Sequence, residues 1–457
     1  GRMTDRTAPQ PAGLPVLGQF FEMRANPLQL LVKTMCEQGG VARLVLGPRT
    51  LHLVTHPDYV QEVLQHKHRA FTKQTPGFAQ LRLVVGYGLV TSDGDFWRRQ
   101  RRITQPAFHK QRLAGFGEKM IAIAHETGNE WAPIAADSGV LDVDREMMRA
   151  TLRIVSETML SADLSKDAAE VAEALDLLLA DVRARTTQPL QLPLAVPTPG
   201  NIKFRRALAT LDRLIHEVIE TRRAGRERRD DLLQMFLDAV DDETGERMTN
   251  EQLRDEVVTV FIAGHETTAN ALAWCWYLLS KHPLVRERVW DELDRVLDGR
   301  SPTLDDLPKL TYLGQVFDET LRLYPPAWLF ARQTCEAVEV GGYTIPDDST
   351  VLISPYAIHR SPEFWDNPLG FDPDRFAPER VAEHHRYQFI PFGAGNRMCI
   401  GKGFAVMEAK LILAELCRRF CLDLLPDHPV RAQPAVTLRP ADGIWMRVRE
   451  RVRGASS

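Results

Sequence analysis

Residues 391–410 read PFGAGNRMCIGKGFAVMEAK, in which one cysteine lies between two pairs of glycines. Cys399 precedes a helical apolar stripe, so its thiol is expected near the positive end of a helix dipole, which favours the thiolate. The glycines permit the backbone to approach a flat molecule closely. Arg397 carries the charge needed to meet an anion at the edge of that molecule. A thiolate, a planar partner and an arginine together indicate haem.

A cysteine before a helix is most often a packing residue, and a catalytic nucleophile is a second possibility. No accompanying pattern of histidine and asparagine supports the nucleophile. A packing role does not require the pattern F-x-x-G-x-R-x-C-x-G, in which five positions are fixed. Those positions are occupied by Phe392, Gly395, Arg397, Cys399 and Gly401. On these residues the sequence resembles the cytochromes P450.

The resemblance implies one domain over residues 1–457, with residues 1–10 as a disordered or expression-derived lead-in. The expected fold is mainly α with a minor β component, and its long central helix and C-terminal helix enclose the haem. The implied cofactor is haem b (iron protoporphyrin IX), with Cys399 as the axial ligand of the iron. Phe392 and the backbone at Gly393 are expected to shield the sulfur.

Two further segments are similar to the family's ligands for the haem propionates. In WRRQR, Trp97 and Arg101 lie four residues apart and therefore share a helix face. Arg332, in LFARQT, follows a double proline, as a propionate-binding arginine of the family does. The resemblance implies that these three residues and Arg397 bind the propionates.

The segment ETLR places Glu319 and Arg322 one helical turn apart. Such a pair is usually a surface ion pair of little energy. Here it lies about 80 residues before the cysteine, as the family's pair does. The third partner in the family is the arginine of a P-E-R-F-like segment, which reads PDRF here, with Arg375 and with Asp374 in place of glutamate. The resemblance implies a structural network of Glu319, Arg322 and Arg375 under the haem.

Residues 260–274 read VFIAGHETTANALAW and bring an acid and two hydroxyls into an apolar helix, where each needs a partner. AGHETT matches the family's oxygen-activation motif, A/G-G-x-D/E-T. The resemblance implies that Ala263 leaves room above the haem, that Thr267 hydrogen-bonds to dioxygen or its water, and that Glu266 relays protons. Thr268 is expected to support them. The simpler alternative is that these polar residues cap carbonyls of their own helix.

The acid–alcohol pair favours a dioxygen-dependent monooxygenase, because peroxide-driven and isomerase-like relatives often lack it. A thiolate-haem gas sensor or carrier without turnover needs neither residue, and a peroxygenase or nitric-oxide reductase on the same fold stays open. Electrons are expected from NAD(P)H through a separate ferredoxin or flavodoxin and its reductase. A basic surface for an acidic carrier, with ordinary surface charge as an equal alternative, would comprise Arg98, Arg99, Arg102, Lys110 and Arg112.

By the same resemblance, apolar residues from four parts of the chain are expected to line the distal pocket. They are Val90, Val260, Ala263, Ala327, Trp328, Leu329, Phe330, Ala435 and Val436. An apolar lining favours a fairly large hydrophobic substrate, such as a fatty acid, terpenoid, steroid or macrolide-like compound. The proline-rich segment 187–200 lies where the family has substrate-access lids, so a lid is a further hypothesis.

The 457-residue chain has a formal net charge of -4 and a pI of about 6.4, so no global basic excess favours nucleic acid or an anionic membrane. Its six cysteines are sparse and form no C-x-x-C, which favours a reducing compartment. The most apolar region, 257–280, is interrupted by His265 and Glu266, which predicts a core helix instead of a membrane span. We therefore expect a cytoplasmic monomer without a signal peptide or membrane anchor.

Hydrophobic periodicity and the positions of proline and glycine predict the secondary structure. Strands are expected at 41–48 and 50–57 and within 327–356, and helices at 58–67, 96–135, 250–282, 311–324 and 402–420. Residues 71–95 predict a loop, and 360–398 an irregular segment.

Overall fold

The computed structural model describes residues 6–161, 168–187, 192–225, 228–241 and 244–452. Residues 1–5 of the expected lead-in and residues 188–191 of the hypothesised lid lie outside the described residues. Within the described ranges, no helix combines the length and the apolar composition that a membrane crossing requires.

Helices form most of the described chain, with small sheets beside them, which confirms the expected mainly α fold. In chain order the helices are α1 (Phe20–Ala25), α2 (Pro27–Gln38), α3 (Pro57–Gln61), α4 (Pro76–Val85), α5 (Gly94–Thr104), α6 (Lys110–Ala136), α7 (Val143–Met159), α8 (Ala168–Thr187), α9 (Pro199–Ala224), α10 (Leu232–Asp238), α11 (Asn250–Lys281), α12 (Pro283–Leu297), α13 (Thr311–Leu323), α14 (Pro355–Ile358), α15 (Pro378–Val381) and α16 (Lys402–Arg419). The helices predicted at 250–282, 311–324 and 402–420 are confirmed as α11, α13 and α16.

The strands form one larger sheet and three small ones. They are β1 (Val41–Leu46), β2 (Arg49–Val54), β3 (Phe71–Thr72), β4 (Val140–Asp142), β5 (Phe330–Thr334), β6 (Val338–Val340), β7 (Tyr343–Ile345), β8 (Thr350–Ile353), β9 (Phe420–Leu424), β10 (Ala432–Pro434), β11 (Leu438–Pro440) and β12 (Trp445–Glu450). The larger sheet has the order β1-β2-β8-β5-β3, and the others are β4-β12-β9, β6-β7 and β10-β11. The predicted hairpin of β1 and β2 is confirmed, with Val41 opposite Val54.

Helix α11 runs through the core and is the longest of the described helices, with 32 residues. At 1.5 Å per residue it spans about 48 Å. It begins at a capping box in which Thr249 and Gln252 satisfy each other's backbone N–H groups. Most of its side chains are buried, and Trp274 stacks on Tyr324 with ring centroids 4.0 Å apart. Helices α4, α7, α9, α10, α12, α13 and α16 pack against α11.

The loop predicted at 71–95 is wrong over its central part, where the structure has helix α4. The Thr75 hydroxyl caps the helix, and Pro76 occupies a first-turn position that needs no N–H donor. Gly86, with φ of 63°, ends it. The glycines near this segment indicated a loop, but they only terminate a helix that the threonine and proline begin.

The helical stretch predicted at 96–135 is two helices, because α5 ends at Thr104 and α6 begins at Lys110. A short 3-10 turn, Gln105–Phe108, joins them. Pro106 lies in this turn, lacks an N–H group and cannot continue α5. The break separates α5 from α6, which packs against α16.

A buried carboxylate on α13 joins distant parts of the chain. Glu319 accepts hydrogen bonds from Arg322 Nε and Nη2 at 2.7 and 2.8 Å, and from Arg375 Nε at 3.1 Å. All three side chains are buried. Since Arg375 lies in the irregular segment 360–398, the carboxylate connects α13 to that segment.

The other donors of these two arginines bind backbone carbonyls. Arg322 Nη1 donates to the carbonyls of His359 and Pro368, both at 2.7 Å. Arg375 Nη2 donates to the carbonyl of Asn367 at 2.7 Å. A segment with little sheet or helix thus obtains its backbone hydrogen bonds from buried side chains.

We expect Glu319→Gln to lower the free energy of unfolding by about 3–5 kcal/mol, because both buried guanidinium groups lose their counter-charge. Arg288→Gln is the control, since Arg288 pairs with Asp374 at 2.9 Å while about half of each side chain is exposed. Its expected loss is about 1 kcal/mol or less. Denaturant titration followed by circular dichroism measures both values, and equal losses would contradict the central role of Glu319.

Candidate functional site

The segment before α16 holds Cys399 on a constrained turn. Gly393 and Gly395 both have φ of 69°, in the left-handed region that favours glycine. A Cβ at Gly395 would lie 2.3 Å from the carbonyl oxygen of Leu64, whereas one at Gly393 would meet no protein atom within 4 Å. The Cys399 N–H donates to the Phe392 carbonyl at 2.9 Å, which closes the turn.

The thiol of Cys399 lies at the start of α16, as predicted. The backbone N–H groups of Gly401 and Lys402 and the charge of Arg101 lower its pKa, but burial outweighs them and raises the pKa above its ordinary value. The N–H groups at the helix end thus favour the thiolate, as expected, but burial has the larger effect on the pKa. A bound metal ion would ionise the thiol, since a coordinating thiol loses its proton outright.

Four basic side chains converge beside the Cys399 turn. Burial lowers the pKa of Arg332 and the pKa of Arg397 to about 10. Burial, Arg332 and Arg397 together hold the pKa of Lys73 well below its usual range, and Arg101 interacts with the same lysine. Within the described ranges, Asp93 is the carboxylate that faces this cluster, where it pairs with Arg397.

The contacts of the cationic cluster are mainly to backbone carbonyls and to a ring. Lys73 Nζ donates to the Val90 carbonyl at 2.7 Å, and Arg101 Nη1 to the Met398 carbonyl at 3.0 Å. The Arg397 guanidinium lies 3.8 Å from the ring centroid of Trp97. The structure thus brings together the four residues that the sequence assigned to the propionates, which are Trp97, Arg101, Arg332 and Arg397.

Lys73 is a member of the cluster that sequence analysis missed. It follows the two-residue strand β3, and no motif contains it. No sequence signal identified it, because Phe71–Thr72 is too short a strand to predict and a lone lysine usually lies at the surface.

The middle of α11 is open on one side, although the residues around it are buried. Ala263 is exposed and Thr267 is half-buried, while Phe261, His265 and Glu266 are buried. The Thr267 hydroxyl donates to the Ala263 carbonyl at 2.8 Å, the helix-internal arrangement that was the simpler alternative. The same hydroxyl oxygen keeps its lone pairs and can still accept a hydrogen bond.

Glu266 points away from its own helix toward the segment before β11. Its Oε1 accepts a hydrogen bond from the Thr437 hydroxyl at 2.6 Å, and Asn270 Nδ2 donates to the same hydroxyl at 2.9 Å. Within the described ranges, Oε2 has no hydrogen-bond partner. Burial raises the pKa of Glu266, while Thr437 and Arg439 lower it. This carboxyl group is therefore suited to hold a proton.

Thr268 and Glu408 lie next to each other between α11 and α16, but in the described part of the chain neither carboxyl oxygen of Glu408 has a hydrogen-bond partner. Both residues are buried, and burial raises the pKa of Glu408 well above its ordinary range while the Thr268 hydroxyl lowers it. Sequence analysis missed Glu408, because a glutamate in an amphipathic helix is normally placed on the solvent side. Its i, i+4 spacing from Phe404 and Ile412, both on the apolar face, was the available signal.

The predicted pocket residues are mostly half-buried. This holds for Val90, Val260, Ala327, Leu329, Phe330, Ala435 and Val436. Trp328 differs, since it is buried in the apolar cluster of α2, β1 and β8, and its indole N–H donates to the Ala435 carbonyl at 3.0 Å. The structure thus places Trp328 in the core instead of on an open surface.

These features fit a haem. A thiol lies on a glycine turn, and Cys399, although surrounded by protein, has an exposed part. Four buried or half-buried cations face one carboxylate, an imbalance that two propionate groups would reduce. The small residue Ala263 opens the face of α11.

The proposed basic surface is largely neutralised by ion pairs. Arg98 pairs with Asp95, Arg112 with Asp230, and Arg99 with Glu246 at 3.1 Å. Arg99 and Arg102 also lie 3.5 and 3.9 Å from Asp241. Such pairing weakens the case for this surface as an electrostatic docking site.

The chain is similar to known proteins over nearly its whole length. A family model described as Cytochrome P450 matches residues 8–445. Cyclooctatin synthase of Streptomyces melanosporofaciens is 39% identical, over 94% of this chain and 92% of the relative. Pentalenene oxygenase of Streptomyces avermitilis is 34% identical over 97% of each chain. Cyclooctat-9-en-7-ol 5-monooxygenase of Streptomyces melanosporofaciens is 36% identical over 92% of this chain and 90% of the relative.

The fold is also similar to that of a solved structure, with a sequence identity close to that of the relatives. The crystal structure of the cytochrome P450DA heme domain superposes with a TM-score of 0.89 and 30% identity, covering 99% of each chain. The family match, the relatives and this structure agree on the family over nearly the whole chain. The chain belongs to the cytochrome P450 family and is a monooxygenase of that family.

Proposed function

We propose that this monooxygenase oxidises a terpenoid, inserting one oxygen atom of dioxygen at a carbon–hydrogen bond. The observation that carries the proposal is the opening of the buried helix α11 at Ala263, beside Glu266 and Thr267. The relatives named for pentalenene and cyclooctat-9-en-7-ol support a terpenoid over a fatty acid, steroid or macrolide. The apolar residues assigned to the pocket are consistent with such a substrate.

The haem would be held at two places. Cys399 would be the axial ligand of the iron, and Lys73, Arg101, Arg332 and Arg397 would neutralise the two propionates. Haem b, when bound, supplies the redox centre at which dioxygen is reduced and one of its oxygen atoms is transferred. Phe392 and the backbone of Gly393 would keep water from the sulfur.

Glu266 and Thr267 would deliver protons to the reduced oxygen. Burial raises the pKa of Glu266, so its carboxyl group retains a proton further toward neutral pH than an exposed glutamic acid does. Thr437 holds one carboxyl oxygen, which leaves the other without a partner in the described part of the chain. The Thr267 hydroxyl, anchored on the Ala263 carbonyl, would pass the proton on.

The overall reaction balances as R–H + O2 + two electrons + two protons giving R–OH and water. We propose that the electrons come from NAD(P)H through a ferredoxin or a flavodoxin and a reductase. The family's chemistry requires this supply, because the side chains of the site contribute protons but no electrons. Since Arg98, Arg99 and Arg102 of α5 are ion-paired, docking would depend on shape and on charges elsewhere around the Cys399 face.

The terpenoid assignment predicts both binding and turnover. With a surrogate ferredoxin and reductase, the haem-loaded enzyme is expected to hydroxylate pentalenene, because a compact apolar substrate suits the pocket. The measurements are the shift of the haem absorption toward high spin on binding, and product by mass spectrometry. Lauric acid is the control and should bind more weakly. Binding of neither compound would contradict the substrate class, and binding without NADPH consumption or product would favour the gas-sensor alternative.

Cys399→Ser is expected to remove the red-shifted absorption band of the reduced carbon monoxide complex, because a hydroxyl is a poor replacement for a thiolate ligand. Cys417→Ser is the control, since Cys417 is a buried thiol on the far part of α16. It should leave the band in place. Retention of the band in Cys399→Ser would refute the ligand assignment.

Thr267→Ala is expected to lower product formation by about a hundredfold while NADPH consumption continues, because the proton-transfer group is lost. Thr158→Ala is the matched control, since its buried hydroxyl makes the same helix-internal bond, to Ile154 at 2.6 Å. Product and hydrogen peroxide per NADPH are measured in both variants. An equal decrease in the two variants would show that only helix stability had changed.

A further inference from the structure

The loop after α4, residues 86–92, is attached to α11 by two adjacent carboxylates. Asp255 Oδ2 accepts the backbone N–H of Tyr87 at 2.8 Å, and Glu256 Oε2 accepts that of Leu89 at 3.0 Å. Both carboxylates are buried. Consecutive residues on a helix point in different directions, so the loop must curve around the helix to reach both.

Two glycines allow this loop to lie directly on the helix. A Cβ at Gly86 would be 2.2 Å from the Asp255 carboxylate, and one at Gly88 would be 2.0 Å from Thr259 Oγ1. Gly86 also has φ of 63°. Only glycine fits so close an approach, so the sequence of the loop is matched to its contact with α11.

The other side of the same loop is fixed to the cationic cluster. Lys73 Nζ donates to the Val90 carbonyl at 2.7 Å, and Arg397 Nη1 to the Ser92 carbonyl at 2.8 Å. Arg82 Nη2 donates to the Thr91 carbonyl at 2.9 Å. The loop is therefore held between α11 and the groups assigned to the haem propionates.

We propose that Asp255 and Glu256 are specificity-determining positioning residues, which hold residues 86–92 at a set distance from the haem. They act through the loop backbone and do not touch the substrate themselves. Through the loop they determine how large a molecule fits beside Val90. The inference rests on the proposed function, because Val90 belongs to the substrate pocket only under that proposal.

Glu256 has a second partner, which makes it the better residue to test. Its Oε1 accepts Gln100 Nε2 of α5 at 3.0 Å, so it joins α5, the loop and α11. Burial raises its pKa to about 7, while Gln100 and Leu89 lower it. Glutamine is consequently a close substitute near neutral pH. Its carbonyl can accept from Leu89. Its amide can donate to Gln100 Oε1, which has no partner in the described part of the chain, once the Gln100 amide turns over.

The experiment compares the haem-loaded wild type with Glu256→Ala and Glu256→Gln. Amide hydrogen exchange of residues 86–92 reports the attachment of the loop, and the dissociation constants of imidazole and of 4-phenylimidazole report the room above the haem. In Glu256→Ala we expect faster exchange and a change of about tenfold in the ratio of the two constants, the effect of losing one buried acceptor. Glu256→Gln should restore both readouts most of the way.

Glu292→Ala is the matched control. Like Glu256, Glu292 is a buried carboxylate with two N–H donors, and in its case both donors are backbone N–H groups. These belong to Tyr312 and Leu313, at 2.8 and 2.9 Å, at the start of α13. The control should lose stability but keep the azole ratio and the exchange of residues 86–92. A similar change of the ratio in the control would overturn the proposal, since general loosening would then explain it.

Each other outcome also counts for or against the inference. Unchanged exchange of residues 86–92 in Glu256→Ala would overturn the attachment, and faster exchange with an unchanged azole ratio would overturn the role in specificity. The azoles need no turnover. A wild type that fails to oxidise any terpenoid would therefore contradict the proposed function alone and leave these readouts intact.

Discussion

The ion pairs of the Glu319 carboxylate are the interactions on which the segment leading to Cys399 depends. This carboxylate neutralises two buried guanidinium groups, and one of them, Arg322, also binds the carbonyl of His359. The His359 ring in turn accepts the N–H of Ile390 at 3.0 Å, one residue before the segment that carries Cys399. A continuous set of hydrogen bonds thus runs from α13 to the cysteine turn. Because the intervening backbone has little regular structure, the position of the sulfur is set by these side chains and by the glycine turn.

Buried glutamates and buried arginines avoid an uncompensated charge in different ways. The acids Glu266, Glu256 and Glu408 can stay neutral, since burial raises the pKa of each. Arginine has no such option, because its guanidinium stays charged in proteins. The cluster that contains Arg332 and Arg397 therefore requires an anion beyond Asp93. This asymmetry is the physical basis for assigning the basic side chains to the propionates and Glu266 to proton transfer under the proposed function.

The sequence was sufficient for the family, the central helix and the cysteine turn, because each depends on residues close together in the chain. It failed where a helix was started by Thr75 and Pro76 inside a glycine-containing stretch. Lys73 and Glu408 were also missed, since each acquires its role only when a distant segment packs against it. Pairings such as Glu266 with Thr437 join residues 171 positions apart, and no periodicity predicts them. The opposing effect of burial on the Cys399 pKa could not be predicted for the same reason, because desolvation depends on the whole fold.

Helix α11 explains why one element can carry so many polar residues in a buried setting. Asp255 and Glu256 bind loop amides, Glu266 binds Thr437, and Thr268 faces Glu408. These partners lie on neighbouring segments: Asp255 and Glu256 share the loop 86–92, and Glu266 and Asn270 share the Thr437 hydroxyl. Thr267 is the exception, since its partner is the helix itself at Ala263, on the open side. Asp255 and Glu256, in the first half of the helix, thus hold neighbouring segments in place, and Thr267 lies on the side of the helix that is open at Ala263. Because α11 is long, a single helix carries both the residues that attach neighbouring segments and the residue on its open side.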